Sequence, residues 1–236
     1  MTAPLPIVFI PGASSDATVW DAQKDFFAQN RRAITVDLTD LDDIGAMADR
    51  VLASTDGDMI ICGTSMGGYV ALEVLKKAPN RIKQVIFCCT SARADTPERK
   101  RQRSLEIAAG ADKWRAARQD DTHYHAFLGR RAQTNAALIA RLRDVSNRVG
   151  YAGFANHQKA CAARPDSRDF LPQVSIPALV ISGDEDTLIP PDMQQEMHAL
   201  LPQSVFVNIA GAGHIAHQEE AEAVTEAIAR FINPPA

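Results

Sequence analysis

The chain lacks several features that would have announced a function. None of its apolar runs approaches the roughly 18 residues a membrane-spanning helix needs. Its opening stretch, MTAPLPIVFIPG, has no basic segment, and its apolar run is too short for a secretion signal. Cysteine is sparse: Cys62, Cys88, Cys89 and Cys161 show no CxxC spacing, which argues against a disulfide framework and for reduced core residues. The expected location is therefore the cytoplasm. Aromatic residues make up 6% and are not interleaved with the basic ones, so nucleic acid is not an expected partner, and neither is a membrane. Metal motifs are missing as well. His214 and His217 do not belong to a Glu-bearing HExxH helix, and a calcium loop starting at Asp184 would need glycine where Ile189 stands. No metal and no organic cofactor is expected.

What is present is a regular alternation. Short apolar, β-branched runs occur at 6–10, 33–38, 59–63, 82–90, 178–183 and 204–209, and their near-continuous apolarity suits strands buried on both faces. Helix-period patterns lie between them at 41–54 and 66–78, and again at 219–232. The pattern predicts an α/β fold, a doubly wound and mostly parallel sheet of about six strands. The rhythm breaks between residues 91 and 172, which hold no strand candidate but have amphipathic stretches at 98–118, 133–149 and 152–163. Charge divides at the same boundaries. Residues 91–172 hold 16 Lys/Arg against 9 Asp/Glu, whereas the remainder holds 9 against 20, giving the overall −4. The division predicts a core of 1–90 and 173–236 carrying a basic helical insert at 91–172.

Three loops carry candidate chemistry. Gly63-Thr64-Ser65-Met66-Gly67-Gly68 sits between a strand run and a helix run, the setting in which a sharp turn lifts a serine hydroxyl clear of the sheet. A helix starting there points its unpaired N–H groups at the same spot. A serine hydroxyl needs a base. His214, in AGAGHIAHQEE after the last strand run, is the candidate at a strand end, while His217 falls in the helix that follows. Asp184, Glu185 and Asp186, in ISGDEDTLIPP, are candidate carboxylates at another strand end.

Together these loops resemble the α/β-hydrolase family, in its capped serine esterase and lactonase branch: carboxylesterases, 3-oxoadipate enol-lactonase-like and pimeloyl-ester esterase-like proteins. The chain order Ser65, Asp186, His214 follows that family's order of nucleophile, acid and base. The resemblance selects Asp186, three residues after the glycine, over Asp184. It implies an oxyanion hole from the Ala13 and Met66 backbone N–H groups, although Pro11-Gly12 stands where the family usually has His-Gly. It also implies that residues 91–172 form a helical cap (lid). As a departure from the family, only about six residues precede the first strand run, so its leading antiparallel strands are expected to be absent. A serine at 65 excludes the relatives that attack with aspartate. The implied activity is hydrolysis of a small-molecule ester, lactone or thioester. A C–C bond hydrolase or lyase, an acyltransferase, a perhydrolase and a slow-turnover receptor remain as alternatives. The basic insert adds an expectation of an anionic substrate or carrier: an ester bearing a free carboxylate, a lactone from aromatic breakdown, or an acyl group on coenzyme A or an acyl carrier protein. Arg130, Arg131, Arg168 and His123 are its candidate contacts.

Overall fold

A computed structural model describes residues 3–233; residues 1–2 and 234–236, the outer ends of the two expected core ranges, lie outside it. The strands are β1 (Ile7–Ile10), β2 (Ala33–Thr35), β3 (Met59–Thr64), β4 (Ile82–Cys88), β5 (Ala178–Gly183) and β6 (Ser204–Ile209). They form one sheet in the order β2-β1-β3-β4-β5-β6, and every pairing is parallel. The inner strands β1, β3 and β5 are buried at every position. That is why they read as unbroken apolar runs rather than alternating ones. The edge strand β6 is half-exposed and alternates more.

In chain order the helices are α1 (Asp21–Phe27), α2 (Ile44–Ala53), α3 (Met66–Lys77), α4 (Pro97–Ala108), α5 (Gly110–Ala117), α6 (Thr122–His125), α7 (Ala136–Ala163), α8 (Pro191–Leu200), α9 (Ala216–Glu219) and α10 (Ala221–Ile232). Two layers cover the sheet. Met47 and Val51 of α2, Val70 and Val74 of α3 and Met197 of α8 close one face. Phe27 of α1 and Val224, Ile228 and Ile232 of α10 close the other. Polar caps fix where several helices begin. The Asp43 carboxylate accepts from the Ala46 N–H at 2.8 Å, and the Asn135 side chain accepts from the Leu138 N–H at 3.1 Å.

Between β4 and β5 the described residues form helices and loops only, α4 to α7 with two short 3₁₀ turns. The charge run PERKRQR opens α4, where Pro97 takes the first position and Thr96 caps the Arg99 N–H at 3.2 Å. The stretches 133–149 and 152–163, expected as separate helices, fall mostly in two arms of α7 that meet at Gly150 (φ 66°, ψ 178°), while residues 132–134 form a 3₁₀ turn before its cap, Asn135.

Other expectations shift. β2 covers only 33–35 of the run 33–38. β4 stops at Cys88 because Cys89 has φ 47°. The helix expected at 219–232 is two helices, broken at Glu220 (φ −126°, ψ 54°). The chain runs from β1 out to β2 and returns past β1 to β3. Loops after β1 and β3 therefore diverge above the sheet's carboxyl edge, which is where open α/β sheets place a site.

Candidate active site

Ser65 joins β3 to α3 with φ 51° and ψ −118°, a conformation few non-glycine residues adopt. Its backbone is pinned on both sides. The N–H donates to the Cys88 carbonyl at 3.0 Å, while the carbonyl accepts from the Thr90 hydroxyl at 2.7 Å and the Gly68 N–H at 2.9 Å. The flanking glycines are there for space. A Cβ at Gly63 would strike the Gly67 backbone, and one at Gly67 would strike the Ile10 carbonyl. The strain thus comes with a fold that holds it, and the hydroxyl stands at the start of α3.

Asp186 follows β5 and His214 follows β6. The His214 Nδ1 to Asp186 Oδ2 distance is 2.9 Å, and His214 Nε2 lies 2.9 Å from Ser65 Oγ. A carboxylate only accepts, so Nδ1 carries the imidazole proton and Nε2 is left to accept from the serine hydroxyl. The other Asp186 oxygen accepts from the Leu188 and Ile189 N–H groups, both at 2.9 Å, which fixes the carboxylate's plane. Burial lowers the pKa of His214, but the charge of Asp186 and its hydrogen bond outweigh that, and the net shift is upward. Asp184 makes a turn, accepting from the Gly211 N–H at 2.6 Å. His217 lies in α9, as expected, buried and stacked on Trp20 at 4.3 Å between ring centroids. Burial first, then the nearby His214 and Arg141, push it down to about 3.

The loop after β1 carries Ala13, half-buried, and then Ser14 at φ 57°. Met66 is the first residue of α3, so its N–H has no acceptor within the helix. Pro11 offers no side-chain donor for shaping this loop. The Ser14 N–H instead donates to Nδ1 of His157, on the second arm of α7, at 2.9 Å. His157 is fully buried, and its Nε2–H donates to the Leu38 carbonyl at 3.1 Å. Burial lowers its pKa, which keeps the neutral, accepting form. His157 is not among the candidate residues of the sequence. Its one available signal was a histidine on the same helix face as buried Phe154, Gln158 and Cys161.

A second junction joins the insert to the loop of His214. The His214 N–H donates to the Phe127 carbonyl at 2.8 Å. Glu219 accepts from the Gly129 N–H at 2.7 Å and from the Gly213 N–H at 3.0 Å. Gly129 and Gly213 pass so closely that a Cβ on either would strike the other segment's backbone. Burial raises the Glu219 pKa, and these N–H bonds oppose the rise. The requirement that Glu219 turn inward accounts for the break between α9 and α10.

The other expected contacts lie elsewhere. Arg130 donates from Nε and Nη2 to one oxygen of Glu185, at 3.0 and 2.7 Å, and its backbone N–H donates to the other at 2.6 Å. Arg131 pairs with Glu220, and Arg168 pairs with Asp166 at 2.7 Å. His123 is half-buried, edge-on to Tyr124 and Phe127. None of the four is hydrogen-bonded to Ser65, Asp186 or His214.

A sequence model of the alpha/beta hydrolase family matches residues 7–227. The chain belongs to that family. Among its members, the chain is 28% identical over 197 residues to a pimeloyl-[acyl-carrier protein] methyl ester esterase of Neisseria meningitidis. That match takes in 80% of this chain and spans 62% of the relative's length. A pimeloyl-[acyl-carrier protein] methyl ester esterase from Nitrosomonas europaea is 27% identical, with 88% of each chain covered. Of solved structures, a thermophilic esterase from Thermogutta terrifontis, with malate bound, superposes with a TM-score of 0.87 at 30% identity. The match covers 98% of this chain and 90% of that one. The enol-lactonase of Burkholderia xenovorans shares the fold, with a TM-score of 0.85 at 23% identity over 98% and 91%. Among the described residues, no helix is long and apolar enough to cross a membrane.

Proposed function

We propose that this member of the alpha/beta hydrolase family is a serine hydrolase that cleaves small esters, lactones or thioesters through an acyl-enzyme on Ser65. The observation that carries the reading is the hydrogen-bonded line Asp186–His214–Ser65, both links 2.9 Å, ending on a hydroxyl raised at a helix start. In this mechanism Nε2 of His214 removes the Ser65 proton as Oγ attacks the carbonyl. Asp186 keeps the proton on Nδ1 and stabilises the imidazolium. The N–H groups of Ala13 and Met66 receive the developing oxyanion. His214 then protonates the leaving group and activates the water that clears the acyl-enzyme. Residues 91–172 are the cap over a core formed by 1–90 and 173–236. The relatives named for an acyl-carrier-bound methyl ester support an ester as the bond cleaved, and a carrier or coenzyme A thioester stays within the proposed class.

Wild type and Ser65→Ala should be compared on a panel of 4-nitrophenyl acyl esters, lactones and acyl thioesters, with labelling by a fluorophosphonate. The wild type turns over repeatedly and is labelled once. The variant is unlabelled and slower by about 10⁶-fold, the scale of losing an activated serine. Full activity in Ser65→Ala on the best substrate would falsify the assignment, and a single acylation without turnover would favour a receptor.

A further inference from the structure

Most cations of the cap have a carboxylate partner, and the buried ones show the contrast best. Arg103 and Arg164 share Asp95, each at 2.6 Å. Arg118 is as buried as they are, 8% exposed, yet among the described residues no carboxylate lies within ion-pair distance of it. Its guanidinium makes a single hydrogen bond, Nη1 to the Trp114 carbonyl at 3.2 Å, and Nε is buried without any partner. What holds it is stacking: its central carbon lies 4.3 Å from the Trp114 ring and 5.0 Å from the Phe154 ring. Burial pushes its pKa down to about 10, so it remains a cation at neutral pH. A buried cation without a counter-ion is costly, and folds normally pair it or shed it.

Its surroundings connect it to both sides of the candidate site. Phe154 lies one helical turn before His157, the residue bonded to the loop of Ala13. Tyr124, whose hydroxyl donates to the Arg118 carbonyl at 3.3 Å, packs with Leu128 in a cluster that includes Ile215, the residue after His214. His123 adjoins the guanidinium, and burial followed by the Arg118 charge lowers its pKa, keeping it neutral.

We infer that Arg118 is the anchor for a free carboxylate on the substrate, at the end remote from the scissile carbonyl. The substrate class is then a half-ester, lactone or thioester of a dicarboxylic acid. This rests on the Ser65 reading and adds a polarity to it. The unpaired Nε edge of the planar guanidinium offers a fork that a carboxylate fits. The Trp114 and Phe154 rings hold that plane fixed. Arg130, Arg131 and Arg168 cannot take this part without giving up their carboxylates.

The test pairs two esters of equal acyl length, mono-4-nitrophenyl glutarate and 4-nitrophenyl valerate, on wild type, Arg118→Met and Arg118→Lys. Methionine fills the aromatic slot without charge. The wild type is expected to prefer the glutarate. Arg118→Met should lower kcat/KM for glutarate about 10- to 100-fold, mainly through KM, the cost of a hydrogen bond to a charged group. Valerate should change by less than about threefold, and Arg118→Lys should recover part of the glutarate loss. No preference in the wild type, or an equal loss on both esters, overturns the inference. Binding is read separately, by Trp114 fluorescence in Ser65→Ala titrated with monomethyl glutarate. A saturable change that vanishes in Ser65→Ala/Arg118→Met supports the anchor even if wild type hydrolyses neither ester, in which case the hydrolase reading fails alone. Hydrolysis that needs Ser65 but ignores Arg118 does the reverse.

Discussion

The line of three side chains is defined by what each can donate. Asp186 has one oxygen saturated by two backbone N–H groups and one left for His214, so the imidazole has a single orientation in which both nitrogens are used. A prediction follows for pH. His214 must be neutral to take the serine proton, and Asp186 raises its pKa despite burial. The acid limb of kcat/KM should therefore have its midpoint above the ordinary imidazole value of about 6.5, with activity rising as pH rises through it. Asp186→Asn removes the charge that raises it. Its midpoint should move down and kcat should fall by about 10⁴-fold. An unmoved midpoint in that variant, measured on a fast ester, would show that another group sets the limb. Ser65 and His214 were legible in the sequence because glycine, strand and helix signals bracket them. Asp186 was legible only through the family's loop pattern, since Asp184 and Glu185 have the same chemistry one or two residues away. Their separate duties, a turn and an ion pair with Arg130, depend on which backbone each faces.

The elements were legible wherever burial is two-sided. The runs at 6–10, 59–63 and 178–183 match β1, β3 and β5 to within a residue. Hydrophobic period reports burial and nothing finer, so α1 was not anticipated, and neither was the break at Glu220, which serves a polar contact. The second arm of α7 shows the same blindness in a functional place. Its His157 supports the loop after β1, at a position where Pro11 offers no side-chain donor. His157→Ala should lower kcat by roughly tenfold or more while leaving KM nearly unchanged, because a misplaced Ala13 N–H is felt mostly in the transition state. His157→Asn, whose amide oxygen falls near the position of Nδ1, should restore much of kcat. A proportional rise in KM with no rescue by asparagine would mean that the residue only packs.

Across the whole molecule, the charge division read from sequence acquires a mechanical meaning. Arg130–Glu185, Arg131–Glu220, Arg148–Asp16, Arg141–Asp21, Lys159–Asp42 and Arg93–Glu196 all join the basic stretch 91–172 to the acidic remainder. Each exposed pair is worth little alone, but together they give the asymmetry a use that needs no ligand. The sequence displayed the imbalance and could not display the pairing, which is a matter of which surfaces meet. The core's response to acid is a second global property. His217 is buried, with its pKa pushed to about 3, against about 6.5 in an unfolded chain. Between those values the unfolded chain binds a proton that the folded one refuses, so stability is fully present above about 6.5 and is lost as pH falls toward 3. Urea midpoints between pH 4 and 7 should show this slope. His217→Phe, which keeps a ring against Trp20, should flatten it by up to one proton, and an unchanged slope would assign the acid sensitivity to other groups.

The close passage of Gly129 and Gly213, with Glu219 binding both backbones, also bears on how such an enzyme can be rebuilt by recombination. A cap grafted from another member of the family would replace Phe127 and Gly129 and leave their partners behind in the core. The His214 N–H, the Gly213 N–H and the Glu219 carboxylate would then face a stranger's backbone. The heritable cassette is therefore larger than residues 91–172: it has to travel with the segment 211–220, or the new insert arrives without the contacts that hold His214.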